Sequence, residues 1–380
     1  MKLNTLQLNT NAPISVIIGE NGCGKSQILS SLASAGNDDR ESVIAIATSV
    51  YDKFPRRNIR KNYHYIGARL GRNIPREAIK STISMLDQSR ESEFSSIFRV
   101  LDYVNFDQRL GFQVKGIKRT SISDFHYSDT QDLSFEKKQE IEEILNHLHG
   151  SFYSQKNRIL WFGRDEYFHQ KYDEFLLVLL KNEKLLKKLK LITAIEIFLS
   201  KDGIAFPFRD ASSGELSLIS TLIFIAGAIN YEALILIDEP ENSLHPKWQR
   251  EYVGKILDLF SYYSPTIVIA THSPVIISGL QNESGVEVHK YTKDGFIKQS
   301  MNSKNAEDLF DELFDLITPS SRSLSNKCAD LLNKVSDGTL SQELATQHLY
   351  EFKEKSYDTS QKEFLDGMVQ LVAKVKEGLK

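Results

Sequence analysis

The sequence predicts an α/β fold in which parallel strands present binding residues at their carboxyl ends. A glycine-rich loop at residues 19–26 lies between an apolar, β-branched run and a segment suited to a helix. Two further apolar runs, at residues 233–237 and 266–270, end in Asp-Glu and in Thr-His-Ser-Pro, respectively. Open parallel sheets carry their catalytic groups at the carboxyl ends of the strands, so both runs are expected to deliver polar side chains to a site.

The glycine-rich loop, Gly-Glu-Asn-Gly-Cys-Gly-Lys-Ser, fits the phosphate-binding pattern G-x-x-x-x-G-K-[S/T]. Residues 14–18 before it are typical of a buried strand, and residues 27–32 after it can continue as a helix. This arrangement places backbone N–H groups and the positive end of a helix dipole around phosphates. We expect Lys25 to reach the β- and γ-phosphates of ATP and the Ser26 hydroxyl to bind Mg²⁺. The residues assigned to the nucleotide in this loop are Asn21, Gly22, Cys23, Gly24, Lys25, Ser26 and Gln27.

Polar residues that follow the two later strands are candidates for metal binding and catalysis. Asp238 is expected to hold Mg²⁺, directly or through water. Glu239 is the better candidate to polarise the attacking water, because a general base must contact that water rather than the metal. His272 is expected to sense or stabilise the γ-phosphate. The alternatives are two exposed carboxylates in a turn and a structural histidine.

A second anion-binding end is predicted at residues 212–215, Ser-Ser-Gly-Glu, which precede an apolar helix. Ser213 and Gly214 would lie at the helix N-terminus, with their amides and the positive dipole pointing outward. An ordinary N-cap also explains the pattern Ser-x-x-Glu. The two interpretations are compatible, because a cap and a γ-phosphate site use the same unpaired amides.

These motifs resemble the ATP-binding cassette (ABC) ATPase heads of the RecF, OLD and structural-maintenance-of-chromosomes type, over roughly residues 12–50 and 190–275. The resemblance implies an ABC-type P-loop NTPase head, two copies of which form a homodimer that sandwiches two ATP molecules. Ser213 and Gly214 would act on the γ-phosphate held by the partner, and residues 241–246 would cross the dimer interface. Related ATPases carry a lid glutamine, but residues 43–54 contain none, and Asp52 is the candidate replacement.

Composition is typical of an enzyme of the cytoplasm. The 380 residues carry a formal net charge of −3, which excludes a strongly basic nucleic-acid binder at the level of the whole chain. The first residues lack the apolar core of a signal peptide, and no apolar run is long enough to span a membrane. With only Cys23 and Cys328, a disulfide framework is not expected. We therefore predict a cytoplasmic protein with no membrane partner.

Motif spacing predicts the domain organisation. An ABC-type ATPase domain is expected over residues 1–290, interrupted by an inserted, mostly helical subdomain at about 55–200, and a helical C-terminal region over 291–380. No heptad pattern is sustained in the insertion, so a coiled coil is not expected there. Hairpin turns are predicted at Asp202-Gly203 and Asp294-Gly295.

A local cluster of basic residues lies between Lys53 and Lys80, with tyrosines interleaved. Such a patch could bind DNA or RNA through phosphate contacts that depend on salt but not on sequence. The alternative is a solvated or partner-facing surface, which could pair with acidic helices elsewhere in the chain. The basic residues between the two lysines are Arg56, Arg57, Arg60, Lys61, Arg69, Arg72 and Arg76.

The chain offers no second chemistry of its own, since neither a nuclease arrangement nor a zinc-ligand cluster is evident. We therefore expect an ATPase whose ATP-dependent dimerisation gates a separately encoded effector, within a dimer or a higher oligomer. The sequence resembles the ATPase component of bacterial anti-phage systems such as Septu, including retron-associated versions, which implies an effector such as a His-Asn-His nuclease. Two alternatives stay open: a DNA repair or recombination ATPase that clamps DNA, and a non-hydrolysing, ATP-bound scaffold or inhibitor of an effector.

Overall fold

The structure is a computed structural model. It describes residues 12–35, 42–55, 62–67, 74–85, 91–118, 133–150, 158–163, 170–281, 283–292, 295–299, 322–356 and 359–375. The chain forms two compact units, of which the first contains residues 1–25 and 270–380 and the second contains residues 26–269. The domain boundary proposed near residue 290 stays a prediction.

Strands and helices alternate through most of the described chain, which makes it a mixed α/β protein. The strands are β1 (Ile14–Ile18), β2 (Val43–Ala47), β3 (Tyr63–Gly67), β4 (Arg109–Lys115), β5 (Leu160–Gly163), β6 (Ala194–Lys201), β7 (Ile204–Pro207), β8 (Leu234–Asp238), β9 (Thr266–Thr271), β10 (Val286–Thr292) and β11 (Gly295–Gln299). The helices are α1 (Lys25–Ala35), α2 (Ile74–Met85), α3 (Glu91–Tyr103), α4 (Phe135–His149), α5 (Gln170–Lys188), α6 (Ser213–Ala228), α7 (Pro246–Phe260), α8 (Pro274–Ser278), α9 (Arg322–Ser336), α10 (Gln342–Lys355) and α11 (Thr359–Val375).

In the first unit, β1 is a buried strand that leads directly into the glycine-rich loop. All five of its residues are buried, as its unbroken apolar and β-branched sequence predicts. It pairs in parallel with β10, with Ile14 opposite Val286 and Ile18 opposite Lys290. Strand β10 then pairs antiparallel with β11. This hairpin confirms the predicted one, although Asp294 in its turn lies outside the described residues.

In the second unit, strands lie in the order β9-β8-β2-β3, and β2 pairs in parallel with both β8 and β3. The five residues of β2 and of β8 are all buried, because strands in the interior of a parallel sheet are covered on both faces. Their register places Ala47 opposite Asp238, so the carboxyl ends of β2 and β8 coincide. The residues that follow these two strands are therefore neighbours.

The described part of the interval between β2 and β6 is mostly helical, as predicted, and it also contributes strands to a second sheet. That sheet is antiparallel, with the order β5-β4-β6-β7. Strands β4 and β5 were not predicted: β5 has only four residues, and the two strands pair with each other across about 45 intervening residues. The predicted turn at Asp202-Gly203 is confirmed: both residues have positive φ, as the tight hairpin between β6 and β7 requires.

Helices form the C-terminal part of the first unit, as predicted. α9, α10 and α11 pack together around a small apolar cluster, which includes Cys328, Ala345, Leu349 and Leu365. Burial raises the pKa of the Cys328 thiol to about 11, so this cysteine behaves as a small apolar core residue. Within the described part of the chain, no helix is both long enough and apolar enough to cross a membrane.

Candidate functional site

The glycine-rich loop follows β1 in the first unit, and its glycines permit a backbone path that other residues would resist. Gly22 and Gly24 have φ angles of +86° and +103°. A Cβ atom on Gly19 would lie 2.8 Å from the Sγ of Cys23 and 2.8 Å from the Cβ of Tyr291. Glycine at position 19 therefore lets the loop pack closely on itself and on β10.

Lys25 is the first residue of α1, and its side chain turns back across the loop. Only 4% of the residue is exposed, and its Nζ donates hydrogen bonds to the carbonyl oxygens of Gly19 at 2.8 Å and Glu20 at 3.1 Å. An ammonium group has three donors, so one more acceptor can be bound in this position. A buried cation held over backbone amides fits a bound phosphate.

Ser26, the next residue, belongs to the second unit. It contacts Asp238, the predicted metal-binding aspartate, within that unit. Its Oγ donates to the Oδ1 of Asp238 at 3.2 Å, and Asp238 is only 1% exposed at the end of β8. A hydroxyl and a carboxylate oxygen fit Mg²⁺, which is usually bound by one or two protein oxygens together with substrate phosphates. The described residues contain no cluster of three or more His, Cys, Asp or Glu side chains that could hold a metal on its own.

Glu239 follows Asp238 in a left-handed backbone conformation, with φ 51° and ψ 54°. Its half-buried carboxylate accepts a hydrogen bond through Oε2 from the Nδ2 of Asn242, at 3.1 Å. Its carbonyl oxygen accepts hydrogen bonds from the Oγ1 of Thr48 and, at 3.3 Å, from the amide of Asn242. The candidate base is therefore held through both its backbone and its side chain.

The loop after Glu239, predicted to cross a dimer interface, is tied to the helix that follows it. The Nε2 of Gln249 on α7 donates to the carbonyl oxygen of Leu244 at 2.9 Å and of Glu241 at 3.4 Å. His245 caps α7 by accepting a hydrogen bond from the amide of Lys247. The loop has a defined conformation within one subunit, and its role at an interface stays a prediction.

Ser212 is the N-cap of α6, in a complete capping box. Its Oγ accepts a hydrogen bond from the amide of Glu215, and the Oε2 of Glu215 accepts one from the amide of Ser212 at 3.0 Å. The N-cap interpretation is therefore confirmed. Helix geometry gives the amides of Ser213 and Gly214 no intrahelical acceptor, and the box does not use them. These two amides are the ones that the γ-phosphate prediction requires.

His272 belongs to the first unit and directly follows β9. Its side chain is exposed. The next residue, Ser273, is buried and precedes α8, where its amide donates to the Oγ1 of Thr271 at 2.9 Å. The backbone on both sides of His272 is thus fixed while the imidazole faces outward. Its contact with a γ-phosphate stays a prediction.

Asp52 is buried within its own segment rather than presented to a ligand. It is 2% exposed, and its two carboxylate oxygens accept hydrogen bonds from the amide of Phe54 at 3.0 Å and from the phenol of Tyr65 at 2.9 Å. This geometry does not favour Asp52 as a replacement for the lid glutamine. Thr48, which contacts the backbone of Glu239, was not predicted as a site residue, although its position directly after β2, opposite β8, is a signal for it.

The basic cluster between Lys53 and Lys80 is described only in part. Arg56, Arg57, Arg60, Lys61, Arg69 and Arg72 lie outside the described residues. Arg76 and Lys80 both turn inward on α2 and donate to the carbonyl oxygen of Ile195. Lys80 also donates to the Oε2 of Glu183 at 2.6 Å. These two cations follow the alternative interpretation in part, since both pair with the single carboxylate of Glu183 on α5, and binding of nucleic acid stays a prediction.

Burial and hydrogen bonding act in opposite directions on the pKa values of Lys80 and Glu183. Burial lowers the pKa of Lys80 to about 8, against the opposing effect of Glu183. Burial alone would raise the pKa of Glu183, but hydrogen bonds from Lys187 and Lys80 outweigh it and hold that pKa below its ordinary value. Glu183 is thus a carboxylate shared by two lysines, which joins α5 to α2.

A family model matches residues 14–278, and its description reads "AAA domain, putative AbiEii toxin, Type IV TA system". The matched range includes the glycine-rich loop, Ser212–Glu215 and Asp238–Glu239, as well as His272. It covers well over half of the chain.

Individual proteins match as well. The chain is 24% identical to the Septu protein PtuA of Bacillus mycoides strain KBAB4, over 83% of this chain and 42% of that protein. It is 29% identical to the Retron Vc95 probable ATPase of Vibrio cholerae serotype O1 biovar El Tor, over 23% of this chain and 19% of that protein. The chain thus spans less than half the length of the curated relatives it matches. A solved structure described as "An inward-facing conformation of a putative metal-chelate type ABC transporter" matches with a TM-score of 0.30 and 14% identity, over 80% of this chain and 79% of that one.

Proposed function

The chain belongs to the AAA-domain family whose model matches residues 14–278, and from this premise we propose that it binds and hydrolyses ATP to control a partner effector. The observation that carries the proposal is the contact between Ser26 and Asp238. It joins the end of the phosphate-binding loop to the carboxylate that ends a buried strand, 212 residues later. A P-loop ATPase needs a hydroxyl and a carboxylate together at this point.

Each residue of the site has a role in this proposal. Lys25 exchanges a loop carbonyl for a phosphate oxygen of ATP, and the amides of residues 21–27 surround the phosphates. Ser26 and Asp238 hold Mg²⁺, which neutralises charge on the phosphates when it is bound. Glu239 orients the attacking water and accepts its proton, and His272 orients the γ-phosphate.

The amides of Ser213 and Gly214 complete the site of a second copy of the chain. They lie at the positive end of a 16-residue helix, and the capping box fixes the helix start. If each ATP contacts both subunits, ATP binding favours the closed homodimer over separated chains, and hydrolysis releases it. Dimerisation thereby becomes a signal that reports the state of the nucleotide.

The effector is proposed to be a separate protein, such as a His-Asn-His nuclease, in an anti-phage defence assembly. Support comes from the similarity to the Septu protein PtuA and to the Retron Vc95 probable ATPase. Among the described residues, no group of three or more His, Cys, Asp or Glu side chains could hold a metal ion.

The test is mass determination of the chain, affinity-purified after expression with its native genomic neighbours, with and without ATP. The matched variant is Glu239→Gln, which should lower ATP hydrolysis by about 100-fold or more, as expected for loss of a general base, and hold the closed state. An oligomer that carries a nuclease or another effector supports the proposal. A chain that dimerises only with ATP and brings no protein along supports the DNA-clamp alternative instead. Hydrolysis at background level, unchanged by Glu239→Gln, supports the non-hydrolysing scaffold.

A further inference from the structure

Glu239 adopts a backbone conformation that residues with side chains rarely take. At φ 51° and ψ 54° it lies in the left-handed region, where glycine, asparagine and aspartate are most common. Such a conformation persists at a site only when surrounding contacts determine it. Two residues provide such contacts: Thr48, which follows β2, and Asn242, which lies in the loop after Glu239.

Thr48 acts on the backbone of Glu239 from the neighbouring strand. Its amide donates to the carbonyl oxygen of Asp238 at 3.3 Å, and its Oγ1 donates to the carbonyl oxygen of Glu239. The parallel pairing of Ala47 with Asp238 brings it to this position. Because two successive carbonyl groups are held by one residue, the peptide planes on both sides of Glu239 are fixed.

Asn242 acts on the side chain of Glu239 from the short helical turn that follows, Pro240–Ser243. Its Nδ2 donates to the Oε2 of Glu239 at 3.1 Å, while its amide donates to the Glu239 carbonyl oxygen at 3.3 Å. A carboxylate has lone pairs on both oxygens, so engaging Oε2 fixes the plane of the group and the direction of Oε1.

We propose that Thr48 and Asn242 are positioning residues, which hold the Glu239 carboxylate in the orientation needed to accept a proton from the attacking water. The proposal rests on the proposed ATPase function. Thr48 sets the backbone from which the side chain projects, and Asn242 sets the plane of the carboxylate. Neither needs to touch the nucleotide, so their loss should affect turnover rather than ATP binding.

The experiment measures kcat and KM for ATP, and the nucleotide Kd, in the full chain. Thr48→Val removes the hydroxyl at nearly constant shape, and Asn242→Ala removes the amide. Each should lower kcat by about 10- to 100-fold, as a misplaced catalytic group does, with KM and Kd changed by less than about 3-fold. Thr48→Ser restores the hydroxyl and should recover most of the loss. The control Asn333→Ala, at an exposed position on α9, should leave kcat unchanged.

A double-mutant cycle with Glu239→Gln separates positioning from a general structural role. If Thr48 and Asn242 act through the carboxylate, Thr48→Val or Asn242→Ala should lower the residual hydrolysis of Glu239→Gln by less than about 2-fold, because residues that act as a unit are non-additive. Unchanged kcat in the single variants, or a full additional loss in the Glu239→Gln background, overturns the proposal. A different result would contradict the proposed ATPase function itself: the wild-type chain would then hydrolyse no more ATP than the Lys25→Ala variant.

Discussion

The hydroxyl of Ser26 lies 3.2 Å from a carboxylate oxygen of Asp238, although 212 residues separate the two in the chain. Asp238 is almost completely buried, so the hydroxyl satisfies part of the hydrogen-bonding demand of its charge. Mg²⁺ needs oxygen ligands of this kind. The contact therefore keeps the two proposed metal ligands close to each other before a cation is bound.

Asp238→Asn should raise the Mg²⁺ concentration needed for half-maximal ATP hydrolysis by about 100-fold, because even outer partners of metal ligands contribute about 10- to 100-fold. The asparagine keeps the shape and the contact with Ser26 but loses the charge. A Mg²⁺ titration of the initial rate is the measurement. The control Asp102→Asn, at an exposed site on α3, should show the wild-type titration. An unchanged midpoint in Asp238→Asn would exclude Asp238 as a metal ligand.

Lys25→Ala should weaken ATP binding by about 100-fold, from the loss of two charge-assisted hydrogen bonds worth about 1.5 kcal/mol each or more. Isothermal titration calorimetry with ATP measures it directly. Lys184→Ala, which removes an exposed lysine on α5, is the matched control and should bind ATP like the wild type. Equal affinities in the two variants would contradict the assignment of Lys25.

Ser213→Glu should prevent ATP-dependent dimerisation while each chain still binds ATP. An acidic residue in the first turn suits the helix dipole, so α6 should stay folded. Its charge would face the γ-phosphate held by the partner, and a like-charge contact at an interface costs several kcal/mol, which raises the dimer Kd by at least about 100-fold. Sedimentation velocity with ATP measures the effect. The control is Ser325→Glu, which places an acid in the first turn of α9. Its ATP-dependent dimer should be as stable as that of the wild type.

Glu183→Gln should destabilise the second unit by about 3 kcal/mol. Breaking a buried ion pair costs about 3–5 kcal/mol, and the low end applies because the pKa of Lys80, about 8, lets this lysine lose its proton more easily than usual. Chemical denaturation at pH 7 gives the value. Asp330→Asn, which removes the exposed partner of Lys334, should cost at most about 0.5 kcal/mol.

The difference between wild type and Glu183→Gln should also depend on pH. The pKa of Glu183 is lower in the folded chain than the ordinary 4.5, so the charged carboxylate stabilises the fold above pH 4.5. This stabilisation is lost as pH falls through the folded-state pKa, where the carboxylate must take up a proton. A stability difference that stayed constant from pH 7 to pH 3.5 would mean that charge plays no part in it.

The nucleotide-binding half of the fold could be predicted because its signals are local. Residues 14–26 specify a buried strand, a turn with glycines at positive φ and a helix start within one stretch of chain. Residues 234–239 likewise combine a buried strand with its terminal carboxylates. The signals that predict such segments lie close together in the sequence, although their strands pair with distant ones.

Other parts could not be predicted, because they depend on pairings between distant residues. Strand β5 has four residues, and β4 supplies its hydrogen-bonding partner. Asp52 looked available in the sequence, but Tyr65 on the adjoining strand occupies one of its oxygens. Thr48 gained its role only from the register that sets Ala47 opposite Asp238.

Because the backbone at Glu239 is left-handed, the residue that best stabilises the fold there differs from the residue that hydrolysis requires. A residue with a side chain is disfavoured there by about 1–2 kcal/mol, whereas glycine costs about 0.5–1 kcal/mol in chain entropy. Folding alone would thus be served as well or better by glycine, at the expense of the carboxylate. Selection for thermal stability without selection for hydrolysis should therefore enrich glycine at position 239. The selected chains would fold stably but would not hydrolyse ATP.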